Sequence, residues 1–315
     1  MRAWLVDRWG EPEEMRLAEI EPPNAGPDQL RIRVHAAGVN FFDILQVQGK
    51  YQIKPPFPFT PGAEIAGVVE GTGQRVMAFP QQGGFAEACT APAGRVFPIP
   101  NEMPFGEAAC LLVYHTSLFA LQKRAALARG EWLLVHAGAS GVGMAAIQIG
   151  VGIGARVVAT AGSAEKLDFC RAQGAQHAID YTDATWVDRV KEITGGLGAD
   201  VIYDPVGGDV FDQSTRCIAP EGRLVVIGFA GGRIPTIAVN RVLLKDIAIV
   251  GAVWGGYAFR NARYMAEAHD ELIRLYAEGA IRPIVSRRYK LEDAVAALRA
   301  LADRKVAGKA VIEID

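Results

Sequence analysis

The chain is poor in the residues that staple or ligate. Its four cysteines, Cys89, Cys110, Cys170 and Cys217, stand far apart with no short spacing between any two. That excludes a disulfide framework and a zinc knuckle and leaves buried free thiols as the expectation. An excess of one charge is also missing. The 33 Lys and Arg against 35 Asp and Glu leave a formal charge of −2, so nothing electrostatic favours nucleic acid or an anionic membrane as partner. No apolar run approaches the roughly 20 residues needed to span a bilayer. Met1–Val6 runs straight into Asp7-Arg8 without a signal-like apolar core, so a cytoplasmic location is expected.

What is abundant is glycine, with 35 residues clustered at the ends of apolar runs. The chain changes rhythm twice. Up to about residue 110, short strand candidates (1–7, 29–37, 63–71, 74–78 and 85–91) are punctuated by Pro22-Pro23, Gly26-Pro27, Pro55-Pro56 and Pro58, the pattern of a β-rich module. From there on, six strand candidates (132–136, 156–161, 177–180, 201–204, 223–229 and 247–253) alternate with helices (142–151, 164–172, 184–193, 210–217 and 236–244). Such alternation predicts a doubly wound parallel sheet covered on both faces. Ser163 and Asp183 are placed as helix N-caps, Gly174 and Gly195 as C-terminal stops. After residue 256 a tail follows: helix 261–277, strand 283–290, helix 292–303 and strand 309–314. The tail is too small for a further domain and is expected to rejoin the first module. The expected α/β domains are therefore 1–112 with 256–315, and an inserted Rossmann domain at 113–255.

The strongest motif is Val135-His136-Ala137-Gly138-Ala139-Ser140-Gly141-Val142-Gly143, which follows a strand and opens a helix. In that context a glycine string reads as a dinucleotide-binding turn, with the helix N-terminus facing the pyrophosphate. Gly138 and Gly143 fill the outer positions of G-x-G-x-x-G, while Ser140 replaces the middle glycine. The next strand ends Ala159-Thr160-Ala161-Gly162-Ser163, with no carboxylate for a ribose 2′-hydroxyl, and Lys166 follows. A neutral floor with a lysine beside it selects NADPH over NADH, although Lys166 also reads as a solvated helix lysine. Tyr181, ending the third strand, is a further adenosine-side candidate.

Ala36–Asp43, Pro58–Gly67, Tyr114-His115-Thr116-Ser117, the turn at 135–143 and the closing Gly308-Lys309-Ala310-Val311 occur in the order, and with the residues, that resemble the medium-chain dehydrogenases/reductases, most closely their quinone oxidoreductase (zeta-crystallin-like) branch. The resemblance implies a GroES-like catalytic module carrying a Rossmann insertion. It also implies homodimers or homotetramers, with dimers joined along the 247–253 strand. Zinc enzymes of this superfamily carry Cys where Gly38 stands and His where Ala63 stands, so Glu64 remains without those partners and no metal is expected. His35, His115, His136, His177 and His269 show no ligand-like spacing.

Without a metal to polarise a carbonyl, the resemblance points to acceptors that are already electrophilic. The expected reaction is NADPH-dependent hydride transfer to a quinone. The alternatives are reduction of the C=C bond of an enone or an acryloyl-CoA-like enoyl thioester, towards which Arg260 tilts, and a non-enzymatic NADPH-binding structural or RNA-binding role. Asn40 and Tyr51 are the implied catalytic residues, Asn40 facing nicotinamide and Tyr51 reading equally as a hydroxyl donor and as a cleft wall. Thr116 is an implied nicotinamide-side contact, with a helix-cap role as the alternative, and Gly228-Phe229 close the fifth strand, at the sheet edge where ligands gather. Lys309 reads equally as a cofactor contact and as an edge lysine. The aromatic run Trp254–Phe259 reads as packing more readily than as a substrate wall.

Overall fold

Proline and glycine turns break the first third of the chain into short strands. The computed structural model describes all residues from Met1 to Asp315. Strand β1 (Arg2–Leu5) pairs antiparallel with β2 (Arg16–Glu19). The long β3 (Gln29–Val39) leads into helix α1 (Phe41–Val47), then β4 (Ile65–Val69), β5 (Arg75–Ala78), β6 (Ala88–Pro92) and β7 (Val96–Pro98). Two helices follow, α2 (Phe105–Ala108) and α3 (Leu111–Leu118). β2 and β7 were not legible as strands: β2 is Arg-Leu-Ala-Glu with no buried residue, and β7 has only three residues, ending in proline.

The middle of the chain alternates regularly: β8 (Trp132–Val135), α4 (Gly141–Ile153), β9 (Arg156–Ala161), α5 (Ala164–Ala172), β10 (His177–Asp180), α6 (Trp186–Ile193), β11 (Ala199–Asp204), α7 (Gly208–Ser214), β12 (Ile218–Val226), α8 (Val239–Lys245), β13 (Ala248–Gly251) and α9 (Trp254–Ala258). The six strands form one parallel sheet in the order β10-β9-β8-β11-β12-β13. Strand order reverses between β8 and β11, and in open α/β sheets ligands gather at the C-terminal strand ends beside such a switch. Leu133, Leu134 and Val135 of β8 are fully buried, as a strand covered on both faces requires. Each such side chain contributes roughly 2 kcal/mol of burial. Ser163 caps α5 as expected, its Oγ accepting the Lys166 N–H at 3.4 Å. Asp183 does not cap α6. Its carboxylate is taken by the N–H and hydroxyl of Thr185, both at 2.8 Å, so the N-cap position moves to Thr185.

The tail supplies α10 (Ala262–Ala277), β14 (Val285–Lys290), α11 (Ala294–Ala302) and β15 (Lys309–Glu313). β15 lies between β14, to which it is parallel, and β3, to which it is antiparallel, giving the order β14-β15-β3-β4-β5-β7 with β6 also on β3. One core fills this unit, joining Ile32, Val34, Ile65 and Phe85 to Leu291, Leu298 and Ile312 of the tail. The chain thus forms two compact units, Met1–Leu112 with Ala262–Ile273 and Pro283–Asp315, and Val113–Asn261 with Arg274–Arg282. The return therefore begins at Ala262 rather than 256. The 256–261 segment stays with the second unit because α9 packs there through its aromatics: Tyr257 stacks on Phe119 with centroids 5.3 Å apart. No helix is long and apolar enough to cross a membrane.

Candidate active site

In the second unit the turn between β8 and α4 is held by close packing. A Cβ at Gly138 would lie 2.8 Å from Cys170 Sγ and 2.9 Å from Ala159 Cβ, and one at Gly143 would lie 2.2 Å from the Ala137 carbonyl oxygen. Both positions exclude any larger residue. Ser140 has φ −79°, ordinary extended backbone that needs no glycine, and its Oγ accepts the Gly143 N–H at 3.1 Å as N-cap of α4. The departure from the glycine pattern is thus a capping residue. Ala139 is buried. The Gly141 and Val142 N–H groups, in the first turn of a helix of 13 residues, precede the first intrahelical acceptor and point out of its positive end.

The ends of β9 and β10 converge next to this turn. Ala161 and Asp180 are in register, and the Tyr181 N–H donates to the Ala161 carbonyl at 3.2 Å. The Tyr181 hydroxyl covers Gly162, beside the exposed Ser163, with the half-buried Lys166 one helical turn on. The Asp180 carboxylate is taken up locally by the N–H and hydroxyl of Thr182, at 2.8 and 2.7 Å.

On the other side of the switch, β11 ends in Asp204, which is fully buried. Its Oδ1 accepts the Val206 and Gly207 N–H groups at 2.8 and 3.0 Å, shaping a turn in which Gly207 and Gly208 both take positive φ. Burial raises its carboxyl above the usual range. Gly228 and Phe229 lie just past β12, and their loop is stitched to the Asp204 turn by Ala230 N–H to Pro205 O (3.0 Å) and Gly231 N–H to Val206 O (2.9 Å).

Thr116 lies inside α3 and caps neither end. Its neighbour Ser117 ties three elements together: its Oγ donates to the Val142 carbonyl at 3.1 Å and lies 2.9 Å from the Tyr203 hydroxyl. Burial pushes the Tyr203 phenol up, so it stays protonated and donates. Trp254 packs on His115 and Phe259, with centroids 5.3 and 5.6 Å apart, so these aromatics build core; Arg260 is exposed. His136 is enclosed between Thr160 Oγ1 (3.0 Å) and Ser214 Oγ (2.8 Å), and burial drives its imidazole down to about 3, which keeps it neutral.

In the first unit Asn40 follows β3 and precedes α1, whose Asp43 accepts the Asn40 backbone N–H at 2.8 Å. Lys309, at the start of β15, is only 3% exposed and is no edge lysine. Its Nζ donates to Asn40 Oδ1 at 2.7 Å, to the Val39 carbonyl at 3.1 Å and to Glu64 Oε2 at 3.2 Å. Glu64, wholly buried, also accepts from Asn40 Nδ2 at 3.0 Å and, through Oε1, from the Leu112 N–H at 2.5 Å. A Cβ at Gly38 would stand 2.1 Å from the Ala109 carbonyl oxygen and 2.5 Å from Glu64 Oε2, so a cysteine does not fit there. No group of three His, Cys, Asp or Glu side chains is arranged to hold a metal ion. Asp43 is buried with its carboxyl pushed up to about 7, chiefly by desolvation. Tyr51, half-buried, is raised by burial and then by the Asp43 charge, so its hydroxyl remains a donor at neutral pH.

Residues 26–101 match the family model described as alcohol dehydrogenase GroES-like domain, and residues 141–271 match that described as zinc-binding dehydrogenase. The chain is 36% identical over 309 residues to quinone oxidoreductase-like protein 2 of Bos taurus, covering 95% of this chain and 88% of that one. It belongs to the quinone oxidoreductase branch of the medium-chain dehydrogenases/reductases. The quinone oxidoreductase of Thermus thermophilus, solved alone and with NADPH, superposes with TM-score 0.88 at 34% identity, covering 99% of this chain and 100% of that one. The Escherichia coli quinone oxidoreductase complexed with NADPH gives TM-score 0.93 at 27% identity, with coverage of 99% and 100%. The protein is accordingly an oxidoreductase.

The contacts of Lys309 with Asn40 and Glu64, and those of Asp43, Asp204 and Ser117, are spelled out by no sequence motif. Signals existed for some of them. Asn40-Phe41-Phe42-Asp43 has capping-box spacing, and Lys309 is a charged residue opening an otherwise apolar strand.

Proposed function

We propose that this oxidoreductase carries NADPH on its second unit and reduces a quinone by hydride transfer. The observation that carries the cofactor choice is the neutral floor at the end of β9, Gly162-Ser163 beneath the Tyr181 hydroxyl, with Lys166 following and no carboxylate among residues 159–163. Ser163, Lys166 and Tyr181 are the residues for the 2′-phosphate. The α4 N-terminus, with Gly138–Gly143, fits the pyrophosphate, since backbone N–H groups and the helix dipole stabilise its charge. Thr116, Gly228, Phe229 and Asn40 serve the nicotinamide side. The NADPH complexes of the Thermus and Escherichia coli relatives support the same reading.

NADPH, when bound, supplies the hydride. The residues of this chain orient, exclude water and manage the proton. Two-electron reduction of a quinone by hydride leaves a hydroquinone anion, which then takes one proton. Tyr51, held protonated by burial and by the Asp43 charge, donates a hydrogen bond to the developing oxyanion. Asn40 fixes the reacting ring, so positioning and oxyanion stabilisation supply the rate in place of a metal.

The subunits pair along β13, one of the two edges of the six-stranded sheet. In support, Val239, Leu243 and Leu244 on α8 and Val253 after β13 are 74–80% exposed, more than an isolated subunit leaves to water without a partner.

The test is NADPH oxidation, followed at the nicotinamide absorbance, against quinones, 2-enones and enoyl-CoA esters, with NADH and a chelator as controls. Chelator-indifferent turnover that prefers NADPH and quinones is expected. Preference for NADH refutes the cofactor assignment, and turnover confined to enoyl esters refutes the quinone.

A further inference from the structure

Asn40 is the one candidate reacting-end residue whose side chain is gripped at both of its polar atoms. The grip is directional. Lys309 Nζ, an ammonium with donors only, meets Oδ1 at 2.7 Å, and Glu64 Oε2, an ionised acceptor, meets Nδ2 at 3.0 Å. Turning the amide over would set its NH2 against the ammonium and its oxygen against the carboxylate. Only one of the two flip states is therefore compatible with the ion pair. The pair itself is closed at 3.2 Å, and it is fully supplied: Val39 O takes a second Lys309 proton, and the Leu112 N–H satisfies Glu64 Oε1. All three side chains are buried, so water does not compete for these bonds. The second Nδ2 proton is spent on the Gly38 carbonyl at 3.4 Å. What Asn40 retains for a ligand is one lone pair on Oδ1, aimed by the ammonium beside it.

We propose that Lys309 and Glu64 are positioning residues for the reaction. Their buried ion pair fixes the orientation and flip state of the Asn40 amide, so that Oδ1 is presented as an acceptor to the reacting end of the site. This rests on the reading of Asn40 as a nicotinamide-side residue. The assignment gives a buried lysine with three internal acceptors a task that neither cofactor contact nor edge position describes. It also accounts for Glu64 standing buried without a metal-ligand set around it. Misplacement of a positioned group by about 1 Å costs on the order of a hundredfold in rate.

The test compares wild type with Asn40→Ala, Lys309→Met, Glu64→Gln and the double variant Lys309→Met/Glu64→Gln. The readouts are apoprotein melting temperature, the Asn40 side-chain amide signal of isotope-labelled apoprotein, and kcat and KM for NADPH oxidation with 1,4-benzoquinone. Lys309→Met and Glu64→Gln each leave a buried charge unpaired and melt about 10 °C lower, whereas Asn40→Ala keeps the ion pair. The neutral double variant regains most of that temperature. Its kcat nevertheless stays about a hundredfold down, as in Asn40→Ala, with KM little changed and the Asn40 amide signal broadened. A double variant that regains both melting temperature and wild-type kcat overturns the proposal, because the pair is then only structural. If Asn40→Ala itself turns over like wild type, the nicotinamide-side reading of Asn40 fails, and the proposal with it.

Discussion

The phenolic oxygen of Tyr181 lies 2.8 Å from where a Cβ would stand on Gly162, so the end of β9 is roofed by the end of β10. A side chain at Gly162 would have to displace that ring, and the floor so formed, Gly162-Ser163, is neutral. For the 2′-phosphate proposed to sit there, Lys166 is the cation that follows in the chain, and residues 159–163 hold no carboxylate. Lys166→Ala is expected to raise the Kd for NADPH about tenfold while leaving that for NADH within about twofold, since a charge-assisted contact to phosphate contributes roughly 1.5 kcal/mol. Fluorescence titration with both nucleotides measures it, and equal loss for the two refutes the assignment.

Ser140 offers a separable test of the turn. Its Oγ caps α4 through the Gly143 N–H at 3.1 Å. Ser140→Ala is expected to cost about 1 kcal/mol of stability, and Ser140→Gly only a few tenths. Urea unfolding of the three proteins reads this difference.

Asp43 predicts a pH dependence. Its folded carboxyl is raised from its ordinary value near 3.8 to about 7 by burial, so the folded state holds a proton that the unfolded state has released between those values. Stability from this group is fully present below pH ~4 and is lost as pH rises through about 7. Asp43→Asn removes the cost of burying the charge. It is expected to raise the melting temperature relative to wild type more at pH 8 than at pH 5. A constant difference across that range contradicts the assignment.

The double substitution Gly38→Cys/Ala63→His installs the residue types that zinc members of the superfamily carry. At Gly38 the new Cβ meets the Ala109 backbone oxygen and the Glu64 carboxylate, neither of which is the loose end of a flexible side chain. Destabilisation of about 3 kcal/mol is expected, without stoichiometric zinc uptake. Elemental analysis of dialysed protein beside a denaturation curve decides the point.

Leu243 and Leu244, 77% and 80% exposed, test the proposed subunit contact along β13. Leu243→Glu/Leu244→Glu is expected to yield a monomer in sedimentation velocity, where wild type sediments as a dimer or larger. Unchanged sedimentation of the variant places the contact elsewhere.

The regular middle of the chain was open to sequence reading because its signals are local. Strand, turn and helix succeed one another within about thirty residues, and Gly138, Gly143 and Ser163 act on atoms a few positions away. The α5 boundaries and the Ser163 cap follow from such neighbours alone. Asp183 shows the limit even there, because its carboxylate had a nearer donor pair in Thr185 than the helix offered. The first unit was legible only in part, since short strands such as β2 carry no buried pattern and gain their place by pairing with a distant partner.

By itself the sequence determined the family, the dinucleotide turn, the neutral floor at Gly162-Ser163 and the absence of Cys and His at positions 38 and 63. These depend on which residues are present and in what order. Only the tertiary structure decided the contacts of Lys309. That residue lies 269 positions from Asn40 and 245 from Glu64, and it reaches them because β15 pairs antiparallel with β3, Ala310 opposite Val39. Sheet register over such separations is set by the packing of whole strands into one core, and no local pattern encodes which buried donor will meet which buried acceptor.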